Sequence, residues 1–125
     1  MPDDPPLPHR GTALTRFNAV RHGILSRYTV LPYESEGEYV ALLEALVAEH
    51  RPDGPTEEHL VEEIAGVIWR KARLRIVEDD FYRGGTEPYQ IEKFQRYEVH
   101  LDRKLERVLS MLLRLQELRR TTTTE

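Results

Sequence analysis

Carboxylates and histidines that could hold a metal ion occur in two clusters of the sequence. The first combines one histidine with three glutamates, and the second is a run of three acidic residues. The members are Glu58, His59, Glu62 and Glu63, then Glu78, Asp79 and Asp80. A di-metal carboxylate bundle requires Glu-x-x-His on paired helices, and no glutamate here is followed three residues later by histidine. The pattern is typical of a solvated acidic helix face, so we expect neither a metal nor another cofactor.

Nucleophilic catalysis also lacks a recognisable arrangement. The chain has no cysteine, and none of Ser26, Ser35 and Ser110 lies in a G-x-S-x-G sequence. Gly84 and Gly85 are adjacent, but neither a Walker A sequence nor G-x-G-x-x-G surrounds them. The sequence therefore predicts a protein that is not an enzyme.

The segment TRFNAVRHGILSR, residues 15–27, carries basic and amide side chains and no acidic residue. Residues 5–33 as a whole lack aspartate and glutamate, in a chain whose formal net charge is -4. Arginine and asparagine suit phosphates and base edges, so we predict nucleic-acid binding here, with DNA slightly favoured over RNA. The candidate residues are Arg10, Arg16, Asn18, Arg21, His22 and Arg27. The alternative is that this segment balances the chain's own acidic block at 34–66, which holds ten acidic residues and one arginine.

A second basic cluster lies in the sequence WRKARLR at 69–75. Arg70, Lys71 and Arg73 are auxiliary candidates for the same nucleic-acid site. The alternative is that they solvate a helix and form salt bridges with the acidic residues that precede and follow them. The spacing alone leaves both interpretations open.

Helical periodicity accounts for most of the chain and predicts an all-α fold. Helices are expected from Thr12 to Gly23, from the capping box at Ser35 to His50, from Thr56 to the Gly84-Gly85 pair, and from near Pro88 to about Arg120. The domain organisation is then a flexible basic N-terminal arm with a short helix at 1–33, a helical domain at 34–120 and a disordered tail at 121–125. The helical domain is expected to be a three-helix bundle or helical hairpin with a long C-terminal helix.

The long last helix contains a heptad seam, in which apolar residues alternate at spacings of four and three. Its members are Leu101, Leu105, Val108, Leu112 and Leu115. Such a seam is typical of coiled coils, and flanking charges often select the partner helix. We therefore predict a homo-oligomer joined through this seam, with the basic residues of the helix assigned to partner choice rather than to nucleic acid.

Composition restricts the cellular setting that the sequence predicts. The absence of cysteine favours a reducing compartment, and no apolar stretch approaches the roughly 18 residues that a membrane span needs. The N-terminal sequence MPDDPPLPH lacks the basic start and apolar run of a signal peptide. We expect a cytoplasmic protein without a membrane partner.

Short motifs along the chain carry a resemblance to a protein group. They are NAVRHGI at 18–24, VLP at 30–32, VEEIAGVIWR at 61–70 and RYE at 96–98. Together they resemble small bacterial and phage-borne helical proteins with an N-A-x-x-H-G-[LI] segment, some of them labelled mobile-element or terminase small-subunit-like. The resemblance implies DNA binding through an N-terminal helical region and oligomerisation through long helices.

These features together predict a non-enzymatic, oligomeric helical protein that binds nucleic acid through its basic N-terminal segment, within a phage or mobile-element nucleoprotein complex. The alternative is a protein-interaction adaptor, an accessory subunit whose arm and long helix dock on a protein partner. Salt dependence separates the two functions, because phosphate contacts make log affinity fall linearly with log salt concentration.

Overall fold

A computed structural model describes residues 29–85 and 87–123 of the chain. Three helices account for most of these residues: α1 (Glu36–His50), α2 (Pro55–Gly84) and α3 (Pro88–Thr123). The described ranges contain no strand, which confirms the all-α prediction. The short helix predicted at 12–23 and the rest of the basic arm through residue 28 lie outside the described residues.

The chain divides into two compact units, Met1–Val40 and Ala41–Glu125. In the first unit, the described residues contain the turn that begins α1. The backbone N–H of Glu38 donates a hydrogen bond to Ser35 Oγ at 3.2 Å, which confirms Ser35 as the N-terminal cap. One turn earlier, the backbone N–H of Glu34 donates to the carbonyl oxygen of Leu31 at 2.9 Å.

In the second unit, proline and glycine define both ends of α2. Gly54 precedes the helix with a φ of 91°, and Pro55 occupies its first turn, where the missing N–H costs nothing because that group has no partner within the helix. At the other end Gly85 adopts a φ of 82° and donates its N–H to the carbonyl oxygen of Tyr82 at 3.4 Å. Positive φ is the conformation that glycine adopts without steric cost. The predicted boundaries of α2 are confirmed to within one residue.

Helices α2 and α3 form an antiparallel hairpin around an apolar core. One cluster of buried side chains joins them near the connection, with contributions from both helices: Val67, Leu74, Phe94 and Leu101. The 30 residues of α2 and the 36 residues of α3 correspond to lengths of about 45 and 54 Å. Burial of this apolar surface is the main term that stabilises the hairpin.

The predicted heptad seam lies on the inner side of this hairpin, where residues of the same chain cover it. Leu101, Val108 and Leu112 are buried within a single chain, while Leu105 and Leu115 are half-buried. Leu105 packs against the cluster that contains Val67 and Leu74 of α2. A heptad pattern is satisfied equally by a helix of the same chain, so the seam does not require another protomer, and the oligomer stays a prediction.

A buried polar cluster joins the turn between α1 and α2 to the end of α3. The Glu57 side chain is only 5 % exposed and accepts two hydrogen bonds from Arg119, Nε to Oε2 and Nη2 to Oε1, each 3.1 Å long. Gln116 Nε2 donates to Glu57 Oε1 at 3.1 Å and to the carbonyl oxygen of His50 at 2.6 Å. The backbone N–H of Asp53 donates to the same carboxylate at 3.1 Å. We call these five residues the Glu57 clamp.

The clamp stabilises the charged form of Glu57. The hydrogen bonds from Arg119 hold the pKa of the carboxyl below its usual value, against the opposing effect of burial, and those from Asp53 and Gln116 act in the same direction. The same hydrogen bonds raise the pKa of the Arg119 guanidinium.

Because the clamp binds the last turns of α3, this end of the helix does not project from the hairpin. The helix also extends to Thr123, three residues beyond the predicted end.

Replacing a seam leucine tests the intramolecular role of the seam. Leu112 is fully buried and the adjacent Leu113 is 49 % exposed, which makes the pair a matched comparison. We expect Leu112→Ala to lower the free energy of unfolding by about 2–5 kcal/mol, because it removes buried apolar contacts and leaves a cavity. Leu113→Ala should change it by less than about 0.5 kcal/mol. Urea denaturation followed by far-UV circular dichroism measures both; equal effects would contradict the placement of the seam.

Replacing the buried carboxylate tests the clamp. Glu57→Gln keeps the shape of the side chain and removes the charge that Arg119 binds, so we expect a loss of about 1–3 kcal/mol in the free energy of unfolding. The control is Glu44→Gln, which removes an exposed carboxylate of α1. Thermal and urea denaturation measure the difference, and an unchanged Glu57→Gln midpoint would show that the clamp contributes nothing to stability.

The pKa of Glu57 also predicts how stability depends on pH. Because this pKa is lower in the folded chain than in the unfolded chain, the unfolded state binds the proton more readily in acid. The free energy of unfolding should therefore fall as the pH drops below about 4.5, the ordinary pKa of the carboxyl, and through the lower folded-state pKa. Glu57→Gln has no such proton and should show a shallower decline. Urea midpoints measured across the acidic range test this, and superimposable profiles would refute it.

Candidate nucleic-acid interface

Members of the second basic cluster form contacts within the hairpin itself, and their role in binding nucleic acid stays a prediction. Lys71 forms an ion pair with Asp102 of α3, and Arg70 Nε donates a hydrogen bond to the carbonyl oxygen of Gly66 at 3.2 Å. Arg73 is half-buried and also takes part in a polar or electrostatic interaction. The first candidate set, Arg10, Arg16, Asn18, Arg21, His22 and Arg27, lies outside the described residues.

A line of basic side chains follows the exposed side of α3. Its members recur at spacings of three, four and finally seven residues, which places them on one side of a helix. All of them are exposed. From first to last they span 21 residues, or about 31 Å of helix. We call this set the α3 basic stripe; it consists of Lys93, Arg96, His100, Arg103, Arg107 and Arg114.

The stripe is largely free of compensating carboxylates. Within residues 29–85 and 87–123, Arg96 is its one member with an acidic partner, Glu92, whose Oε1 lies 2.9 Å from Arg96 Nη2. Glu98, Asp102 and Glu106 recur every four residues and fall on a different side of α3. The stripe therefore presents four lysine or arginine charges without an acidic partner in the described part of the chain, Lys93, Arg103, Arg107 and Arg114, although the chain as a whole is acidic.

Cross-helix ion pairs mark the border between the stripe and the core. Lys104 Nζ of α3 lies 3.3 Å from Glu63 Oε2 of α2. Asp102 of α3 forms the ion pair with Lys71 of α2. These pairs lie beside the buried side of α3, which faces inward, while the basic stripe faces solvent.

Aromatic residues lie beside the hairpin end of the stripe. The Tyr97 and His100 rings are nearly parallel, at an interplanar angle of 18° with centroids 6.3 Å apart. Across the hairpin, Phe81 of α2 packs edge-to-face on Phe94, with ring centroids 5.2 Å apart. Tyr89 in the first turn of α3 is 65 % exposed. Exposed rings beside cations are a composition suited to binding nucleic-acid bases and phosphates together.

Within residues 29–85 and 87–123, no group of three or more histidine, aspartate or glutamate side chains is arranged to hold a metal ion.

None of the helices among the described residues combines the length and apolar character that crossing a bilayer requires.

Comparisons with protein-family models, with curated proteins and with solved structures find no match to this chain. The resemblance to terminase small-subunit-like and mobile-element proteins therefore stays a prediction.

The sequence indicated that α3 is rich in arginine, and these residues were predicted to select the partner helix in an oligomer. That assignment depended on the seam facing another chain, and the hairpin removes this requirement. The regular three-and-four spacing of the basic residues was the signal that could have separated the stripe from the acidic side of the same helix. Glu57 was also missed, because it sits in an acidic run at the start of α2 that looks solvated.

Proposed function

We propose that this protein binds nucleic acid and is not an enzyme, and that the α3 basic stripe is a binding surface that acts together with the basic N-terminal segment. The observation that carries the proposal is the exposure of six basic side chains in one line, five of them without an acidic partner in the described part of the chain. Four of these five are lysine or arginine, and unpaired cations in a row match the repeating charge of a phosphate backbone.

The dimensions of the stripe support a polyanion rather than a small anion. At about 3.4 Å per nucleotide along one duplex strand, the stripe of about 31 Å is as long as roughly nine nucleotides. A small phosphate compound would engage two or three of these side chains and leave the rest unused. A backbone of repeated phosphates can engage the whole line.

The number of charges limits the expected affinity. Five lysine or arginine contacts would give a slope of log affinity against log salt of about -4 to -5 with duplex DNA. The net charge of -4 opposes long-range attraction, so binding should be moderate and confined to low salt. The four arginines at 10–27 would add contacts if they join the same ligand.

A second candidate function is a protein-interaction adaptor. It is favoured by Met111 and Leu118, which are both about half exposed and continue the spacing of the stripe toward the end of α3. Exposed apolar side chains beside arginines are also typical of protein interfaces. In this case the stripe would dock on an acidic protein surface.

Charge reversal with a matched control tests the proposed function. The triple variant Arg103→Glu, Arg107→Glu and Arg114→Glu reverses the stripe. The control Arg51→Glu, Arg75→Glu and Arg83→Glu makes the same change in net charge at exposed arginines outside it. Fluorescence anisotropy with labelled single- and double-stranded DNA and RNA of about 20 nucleotides, at about 50 and 200 mM salt, gives the affinities.

We expect salt-sensitive binding by the natural chain, a loss of at least about tenfold in the stripe variant, and a much smaller loss in the control. Equal losses in both triple variants would show that net charge rather than the stripe is responsible. No binding to any probe by the natural chain would refute nucleic-acid binding and favour the adaptor.

A further inference from the structure

We propose that the nucleic acid bound at the hairpin end of the α3 basic stripe is single-stranded, and that its bases stack on the exposed rings of Tyr89, Tyr97 and His100. This inference rests on the proposed function and adds the class of nucleic acid. A base in a duplex is already stacked on its neighbours, whereas a base in a single strand has faces free for an aromatic side chain. Exposed rings therefore favour a single strand. Cations that bind phosphates, by themselves, do not distinguish a single strand from a duplex.

The geometry places the stacked pair between two surface depressions. Tyr97 lines a cleft between α2 and α3, whose other walls include Phe81, Phe94 and Lys93. His100 lines a second depression, on α3, together with Arg96 and Arg103. One ring of this nearly parallel pair lines each depression, and we call the two rings together with Tyr89 the aromatic platform. Each depression contains at least one cation of the stripe.

The hydroxyl groups of Tyr89 and Tyr97 are not used to hold the fold within the described ranges. Tyr89 is 65 % and Tyr97 42 % exposed, and neither phenol forms a hydrogen bond within residues 29–85 and 87–123. Tyr82 differs, because its hydroxyl donates a hydrogen bond to Glu78 Oε1 at 3.1 Å. We therefore do not assign Tyr82 to base stacking. Rings that are open to solvent lose little by exchanging water for a base.

The nearby acidic side chains are partly compensated. Glu92 lines the second depression, but its carboxylate is held by Arg96. On α2, Asp79 Oδ2 lies 3.2 Å from Arg83 Nη2. Lys93 and Arg103 have no such partner in the described part of the chain. The uncompensated charge beside the rings is therefore positive.

The open shape of the two depressions argues against a small-molecule site. Their volumes are about 250 and 420 Å³ and both open to solvent, whereas pockets for small molecules bury most of the ligand surface. An open shelf with one aromatic wall suits a base that belongs to a longer chain, since the neighbouring phosphates supply the remaining contacts.

Aromatic replacements with conservative controls test the inference. Tyr89→Leu with Tyr97→Leu removes both phenol rings and keeps apolar side chains that a helix accommodates. Tyr89→Phe with Tyr97→Phe keeps the rings. His100→Ala, at an exposed position, is a second variant that does not touch the core. The probes are fluorescein-labelled oligo-dT and oligo-rU of about 20 nucleotides and a duplex DNA of the same length, with far-UV circular dichroism to check folding.

We expect the leucine pair to lose at least about tenfold in affinity for the single strands, from the loss of two stacking platforms. His100→Ala should lose less, and the phenylalanine pair should bind like the natural chain. The affinity for the duplex should stay unchanged in both tyrosine pairs, whereas His100→Ala also removes a member of the stripe and should weaken duplex binding slightly as well. If the leucine pair leaves single-strand binding intact, or weakens duplex binding equally, the single-strand inference is wrong while nucleic-acid binding stands. If the natural chain binds none of the probes, the proposed function itself is wrong.

Discussion

The burial of one side of α3 against its own chain determines what the rest of that helix can do. Leu101, Val108 and Leu112 occupy the inner side, and the ion pairs of Asp102 and Lys104 with α2 lie along its borders. With the rotation of the helix fixed in this way, residues three and four positions apart on the opposite side must face solvent. The basic stripe is thus a geometric consequence of the core, and its exposure needs no separate stabilising contact.

The ends of the helices could be predicted from the sequence because local signals control them. Ser35, the Pro55 that follows Gly54, and Gly85 act through backbone geometry and hydrogen bonds within a few residues. The partner of the seam could not be predicted in the same way. A heptad pattern records that a helix has an apolar side, and it contains no information on whether the covering helix belongs to the same chain.

The candidate site shows the same division between local and long-range information. The positions of the basic residues on α3 follow from sequence spacing, but their lack of acidic partners depends on where α2 packs. Lys71 illustrates the point, since the sequence left open whether it binds nucleic acid or forms a salt bridge, and its partner Asp102 lies 31 positions later in the chain. Glu57 could not be distinguished from the exposed carboxylates around it, because its partners Gln116 and Arg119 are about sixty residues away.

The separation between Glu57 and Arg119 also has a consequence for the order in which the chain acquires its structure. Leu74 and Phe94 are 20 residues apart, whereas Glu57 and Arg119 are 62 apart, so closing the longer loop costs about 1 kcal/mol more in chain entropy. During synthesis from the N-terminus, Glu57 emerges long before the two side chains that neutralise and bind it. The hairpin can therefore form first at its connection and close toward the clamp, with the turn between α1 and α2 becoming fixed only when the last part of α3 arrives.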